Sequence, residues 1–398
     1  MKITKLYLML LVIASITLVG CKQSNDMASN SIIDNDVTVT TYTPQDVTDC
    51  SAICGGNVTS NSNIMIIAKG VCWSVSQNPS VTDSHTNEGS GVGEFTSCLT
   101  NLNSQTIYYI RAYATTEVGT IYGDEKTIST EAPAPVGSID GLFSVNHIRQ
   151  VYFSKGNLQY QASTNTWRFA ENQWDCMGDD NSNISNNSSC WIDMFGWGTS
   201  GYDHGAVCYQ PWSTSISYSD YYAYGSSINN LYSLNGTADW GYNTITNGGN
   251  NKNVWRTPTR EEWFYILKTR ETSSGIRYAK ANINGVNGLV LLPDNWNSDI
   301  YYLDGTNDFY ASFNANSISQ TDWIIKLEAN GAVFLPAAGY RYSNKIDNVG
   351  VSGYYWSASH IDDYNAHLVY YNDEYLNTDY QHYRSLGLSV RLICLAEK

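Results

Sequence analysis

The sequence predicts a multidomain chain, an all-β sandwich followed by an irregular α+β domain. Three observations predict it. Short alternating runs broken by turn residues fill the chain up to about position 130. A Pro-rich stretch, APAPVG, follows at 132–137. Beyond it Gly–Asn clusters multiply, a helix signal appears, and eleven of the 12 Trp lie from Trp167 onward. The segments implied are a leader (1–20), a tether (21–35), a sandwich (36–131), a linker (132–140) and a second domain (141–398).

At the start, Lys2 and Lys5 precede an apolar run at 6–19 that is too short to span a bilayer comfortably. The run ends in Leu18-Val19-Gly20-Cys21, which resembles the lipobox of bacterial lipoproteins. That resemblance implies an acylated Cys21 that anchors the chain to a membrane it does not cross. Residues 22–35 are polar, small and free of aromatics, as suits a flexible tether. Asp26 is the only acidic residue soon after Cys21. The expected place is the outer membrane, at the cell surface, and so thin an export signal leaves the periplasmic face as the alternative.

The net charge is −15 and no basic block occurs, which argues against nucleic acid as a partner. Only 15% of residues are charged while Tyr numbers 31, so the surface is polar but weakly charged. Eight Cys remain beyond Cys21; an exported protein permits disulfides, whose connectivity the sequence leaves open.

In the first domain SAICGGNV, IIAKGVCWSV, GEFTSCL and TIYYIRAYATT read as strands, with a hairpin turn at Glu117-Val118-Gly119-Thr120. No helix pattern interrupts them, which is the grammar of a β-sandwich. The segment Leu102-Asn103-Ser104-Gln105-Thr106-Ile107-Tyr108 resembles the signature before strand F of fibronectin type III domains. GVCWSVSQNPSV and YYIRAYATTEVGTIYG are similar to the version common in exported Bacteroidota proteins. The resemblance implies that Tyr108 packs into the sandwich corner. Cys50 and Cys54 have CxxxC spacing on a strand, which is unlike a redox pair. A structural disulfide to Cys98 or buried free thiols are the two readings.

In the second domain Thr259 can cap a helix while Glu262 completes a capping box. Trp263, Ile266 and Leu267 then share one helical face, and the helix is expected to end near Ser274-Gly275. GLVLLP and GAVFLPAAGYR read as short buried strands. WRTPTREEW resembles a motif of the formylglycine-generating (sulfatase-modifying) family, a variant of the C-type-lectin-like fold. GYYWSAS followed by GLSVRLI is similar to that fold's closing strands. VYFSKGNLQYQ, WIDMFGWGTSGY, ADWG and FLPAAGYR resemble the Fibrobacter-type major paralogous domain of Bacteroidota lipoproteins. The likeness covers about 141–395, and implies a C-type-lectin-like domain without naming its activity.

No catalytic constellation stands out, and the expectation is a protein that is not an enzyme. The cysteine pair of the formylglycine enzymes has no counterpart, since only Cys394 lies near the C-terminal segment. Asp179-Asp180-Asn181-Ser182-Asn183 opens like a calcium loop, but Ile184 and Cys190 replace the required Gly and Glu. Gln210-Pro211-Trp212 and Trp296-Asn297-Ser298 lack the carboxylates of calcium-dependent sugar sites, and no HExxH occurs. No cofactor and no metal are expected. Trp167, Trp197, Trp255 and Trp263 read as core.

The chemistry concentrates in the tail, 359–385, where three of the six His lie among Tyr, Asp and Asn. A hairpin is its natural structure, with Ala366, Leu368 and Tyr370 on one face and His367, Val369 and Tyr371 on the other. Asp362 and Asp363 read as solvated carboxylates, with a raised-pKa couple as the alternative. Tyr offers stiff contact area with a polar handle, and Asn, Asp and His offer adaptable hydrogen bonds. The expected ligand surface is His360, Asp362, Asp363, Tyr364, Asn365, His367, Tyr371, Asp373, Tyr375, Asn377, Asp379, Tyr380, His382 and Tyr383. Tyr221 and Tyr222, in the Ser-rich loop YSDYYAYGSS with Tyr224, are expected to join it. Codons for Tyr, His, Asn and Asp differ only in the first base, so the tail resembles the variable region of diversity-generating-retroelement target proteins. The expected partner is an extracellular protein or glycan. A structural, fimbria-like surface component is the other reading, and an enzyme of the formylglycine-generating type fold a third.

Overall fold

The computed structural model describes residues 36–396, apart from 62, 203–208, 223, 227–229 and the side chain of 234. The leader, Cys21 and the tether lie outside the described residues. Among the described residues no helix is long and apolar enough to cross a membrane. The chain divides into two compact units, 1–102 with 106–130, and 103–105 with 131–398. In both, the regular structure is mostly β-strand.

The first unit is a sandwich of two sheets. β1 (Val37–Thr41), β2 (Ala52–Ser60) and β5 (Gly93–Leu99) form one, in the order β1-β2-β5. β3 (Ala68–Ser74), β4 (Ser84–His85), β6 (Ile107–Thr116) and β7 (Gly119–Tyr122) form the other, in the order β4-β3-β6-β7, with β8 (Lys126–Ser129) also on β6. Strict alternation drives this: Val37 and Val39 point inward while Thr38 and Thr40 stay in solvent. They meet Val71, Ile110 and Ala112 from the facing sheet in one core, and Tyr108 is buried in it. Cys54 lies opposite Ser97 and not opposite Cys98. A one-residue offset puts two side chains on opposite faces, so Cys54 is buried, Cys98 is exposed, and both remain thiols. The Cys98 disulfide is not formed.

In the second unit β9 (Phe143–Ser144) and β10 (Gln150–Phe153) pair with the last strand, β23 (Ile393–Leu395). β11 (Leu158–Gln161), β12 (Thr166–Phe169) and β13 (Trp191–Ile192) form a second small sheet. A third, ordered β16-β14-β15-β17, joins β14 (Tyr278–Ile283), β15 (Val286–Leu291), β16 (Ser317–Ile318) and β17 (Val333–Pro336). β18 (Tyr340–Tyr342) and β19 (Lys345–Asp347) make a hairpin. The closing sheet is β20 (Ser352–His360), β21 (Asn365–Asn372) and β22 (Leu376–Tyr383), in that order.

The helix α1 (Arg260–Phe264) starts where the capping box placed it: Thr259 accepts from the Glu262 N–H, and Glu262 accepts from the Thr259 N–H. Trp263, Ile266 and Leu267 are fully buried on one face. The helix passes into a π-helical turn, Tyr265–Thr269, and stops there, before Ser274-Gly275. The reason is Arg270, whose backbone leaves helical geometry. Its buried guanidinium bonds the Ile266 carbonyl and pairs with Asp294 at 2.8 Å. Trp167, Trp197 and Trp255 are core residues too. Around Asp179 the chain makes a short 3-10 turn, and Asn181 donates to the buried Asp193 at 2.8 Å. Inside the linker stretch Ile139 is buried in the core of the second unit.

β21 is the middle strand of its sheet, which places it between two cores. Ala366 and Leu368 face the one containing Trp356, Leu388 and Trp197. Val369 and Tyr371 face the other, with Trp263, Phe153 and Leu335. The two faces are those the alternation predicts.

Candidate functional site

The tail is the end of β20, a first turn and the β21–β22 hairpin, and the sixteen expected site residues, Tyr221 and Tyr222 of the loop included, fall into four places. Its first turn carries Asp362, Asp363 and Tyr364. Asp362 Oδ1 accepts the N–H groups of Tyr364 (2.8 Å) and Asn365 (2.7 Å). Asp363 Oδ1 accepts the Gly225 N–H at 3.0 Å and so ties this turn to the loop of 218–226. Partial burial pushes the Asp362 carboxyl up, but hydrogen bonds from Asn365 and the backbone outweigh it and hold the group below its ordinary value. Asp362 is thus no raised-pKa acid.

Four tyrosines gather at this end. Tyr364 meets Tyr218 edge to face, 5.1 Å between centroids at 87°, and Tyr224 at 6.4 Å and 80°. Tyr383, the last residue of β22, lies 5.0 Å from Tyr218. Tyr364, Tyr224 and Tyr383 are 48%, 43% and 41% exposed. The corner is held from beneath by Arg384. That guanidinium is fully buried, stacks 5.0 Å from the Trp197 ring, and donates to the carbonyls of Tyr222 (2.8 Å), Asn365 (3.5 Å) and Asp362. Burial pushes it down to about 10, so it keeps its charge at neutral pH.

The middle of the hairpin holds an ion cluster. Arg260, on α1, grips Asp379 through two bonds of 2.5 and 2.6 Å, and His367 Nδ1 lies 3.0 Å from the same carboxylate. Arg260 holds Asp379 below the usual carboxylate range. Burial, only partly opposed by Asp379, keeps His367 below its ordinary value. On the opposite face an aromatic ladder crosses the sheet, Tyr340–Tyr354–Tyr370–Tyr380, with spacings of 5.3, 4.9 and 4.9 Å. His382 continues it toward Tyr383 at 5.3 Å. His360, at the end of β20, is half-buried and donates its N–H to Asn230.

The far turn is separate. Asp373 accepts from Ser312 and from the Phe313 N–H, and Asn377 accepts the Asp379 N–H. Tyr375 is exposed beside the exposed Tyr310, 6.4 Å away.

Three expected residues are not on the surface. Tyr221, Tyr222 and Tyr371 are 1%, 2% and 0% exposed. Glycines make room for each: a Cβ on Gly196 would run into the Tyr221 ring, one on Gly198 into Tyr222, and one on Gly353 into Tyr371. The Tyr221 hydroxyl donates to the Ser215 carbonyl and that of Tyr371 to the Leu335 carbonyl. Tyr218 and Arg384 were missed by sequence reasoning. Tyr218 sits in the quoted loop, and Arg384 is the one cation in the tail, a signal that was available.

A family model described as a domain of unknown function (DUF8237) matches residues 299–393. This span contains the hairpin and its two turns. No curated protein matches the chain. Among solved structures, the chain is similar to the sensor domain of the anti-sigma factor RsgI4 of Pseudobacteroides cellulosolvens. The identity is 16% and the TM-score 0.20, over 25% of this chain and 99% of that one. It is also similar to an FN3 domain of human collagen XX, with 17% identity and a TM-score of 0.19, over 23% of this chain and 88% of that one.

Proposed function

We propose that this protein is a membrane-anchored extracytoplasmic binding protein, not an enzyme, whose second unit presents the tyrosine corner to an extracellular ligand. The single observation that carries this is the gathering of Tyr218, Tyr224, Tyr364 and Tyr383 at one exposed end of the closing sheet. Large aromatic rings left in solvent on a rigid support are the ordinary makings of a contact surface. The support is rigid because Arg384 and the Asp363–Gly225 bond fix both loops that carry the rings. In this account the second unit is a C-type-lectin-like head, as WRTPTREEW and the closing strands suggest. The first unit is a fibronectin-III-like stalk, in keeping with its β1-β2-β5 and β4-β3-β6-β7 sheets. Cys21 supplies the lipid anchor at the outer membrane. The Tyr, Asn, Asp and His composition of the hairpin fits a surface diversified by a retroelement. A near-identical template repeat and a reverse transcriptase gene beside the coding sequence are the expected signs, and their absence would remove that part.

The binding test is a glycan and protein array probed with the full chain and with a triple variant of Tyr218, Tyr364 and Tyr383 to Ala. Binding by the first and not by the second is expected. Equal binding by both would take the corner out of the site.

A further inference from the structure

The corner differs from a flat stacking platform in two ways. Its rings stand nearly at right angles, 87° for Tyr218 against Tyr364 and 80° for Tyr224 against Tyr364. The apolar face of a sugar ring stacks on one aromatic face, whereas rings set at right angles offer a cation contact on two sides. The rim is also anionic. Asp362 and Asp363 precede Tyr364 directly, and among the described residues neither makes an ion pair within 4.0 Å. The cation beneath, Arg384, is fully buried and each of its three side-chain nitrogens already donates to a carbonyl. The chain as a whole carries −15, which adds long-range attraction for a basic partner.

We infer that the corner formed by Tyr218, Tyr224, Tyr364 and Tyr383, with Asp362 and Asp363 on its rim, receives arginine or lysine side chains of a protein partner. Such a cation sits against the ring faces while the two carboxylates neutralise it. This rests on the binding reading given above and narrows its ligand from any extracellular molecule to a basic protein segment. Of the two cations arginine suits the corner better, because its planar group can stack and donate at once.

The test is a titration of the full chain with an arginine-rich peptide and with its glutamine-substituted counterpart, alongside a neutral oligosaccharide. The arginine peptide is expected to bind on the order of tenfold more tightly than the glutamine one. Tyr364→Phe keeps the ring and should stay within about threefold, whereas Tyr364→Leu keeps apolar area without the ring and should lose about tenfold. Tyr310→Ala, an exposed ring at the far turn, should change nothing. Equal losses in Tyr364→Leu and Tyr310→Ala would reduce the effect to general charge attraction and overturn the inference. Oligosaccharide or glutamine-peptide binding that depends on Tyr364 would overturn it too, while leaving the binding reading in place. If no probe here and no array ligand depends on Tyr364, both fall together.

Discussion

Arg384 sits where the 218–226 loop, the 361–364 turn and the start of β21 converge, and one guanidinium satisfies a carbonyl from each. Replacing it with Met keeps the stem over Trp197 but strands the buried Tyr222 carbonyl, while the part-buried Asp362 and Asn365 carbonyls stay within reach of water or backbone N–H groups. An orphaned buried acceptor costs about 1–3 kcal/mol, so Arg384→Met should lower unfolding stability by about that much. Urea denaturation measures it, and a loss under about 1 kcal/mol would show that Arg384 is not the support claimed. Gly353 is the second residue-scale test. Its missing Cβ is the space the Tyr371 ring fills, so Gly353→Ala should cost about 3 kcal/mol through overpacking. Residues of this kind were the least legible in the sequence. The Thr259–Glu262 cap was readable because both partners lie within one helical turn. The burial of Tyr221 and Tyr222 was not, because it depends on Gly196 and Gly198 in another segment. A Ser-rich neighbourhood then suggested exposure where glycine slots provide cover.

At the scale of elements, the closing sheet gathers three half-buried histidines with one titration habit, His360 on β20, His367 on β21 and His382 on β22. Burial holds His382 below its ordinary value. It does the same for His360, helped by Arg384 and opposed by Asp362 and Asp363, and for His367, opposed by Asp379. A histidine depressed in the folded state binds protons less readily there than in the unfolded chain. Its stabilising effect is complete above the unfolded value of about 6.5 and is lost as pH falls through the folded value. The buried Asp193, raised to about 6 by desolvation, works the other way over the lower part of that range. Comparing wild type with His382→Gln cancels the Asp193 contribution. Wild type should therefore lose more stability than the variant between pH about 7 and about 5. Parallel curves would mean that His382 titrates alike in both states. The hairpin itself and its two faces were legible from period-two alternation. The place of β21 between two cores was not, since that depends on Trp197, Phe153 and Trp263 joining those cores from distant sequence.

For the whole molecule, two units of different build follow a lipobox-like leader, and function is assigned to one end of the second. The anchor is tested by Cys21→Ser, which should release the protein from the membrane fraction into the soluble one. A variant that stays with membranes would show that acylation at Cys21 is not what holds it. The sequence changes composition at the APAPVG stretch and in its Trp distribution, and the two compact units part close to it, after 130. The tyrosine corner was only half visible: Tyr364 and Tyr383 were expected, but the loop residues that meet them are Tyr218 and Tyr224, not Tyr221 and Tyr222. The most direct measurement is the affinity of the strongest array ligand for wild type, Tyr364→Ala and Tyr310→Ala, each checked for native stability. A loss of about tenfold or more is expected for Tyr364→Ala, the size of a contact hot spot, and none for Tyr310→Ala. Unchanged affinity in Tyr364→Ala would contradict binding at the tyrosine corner.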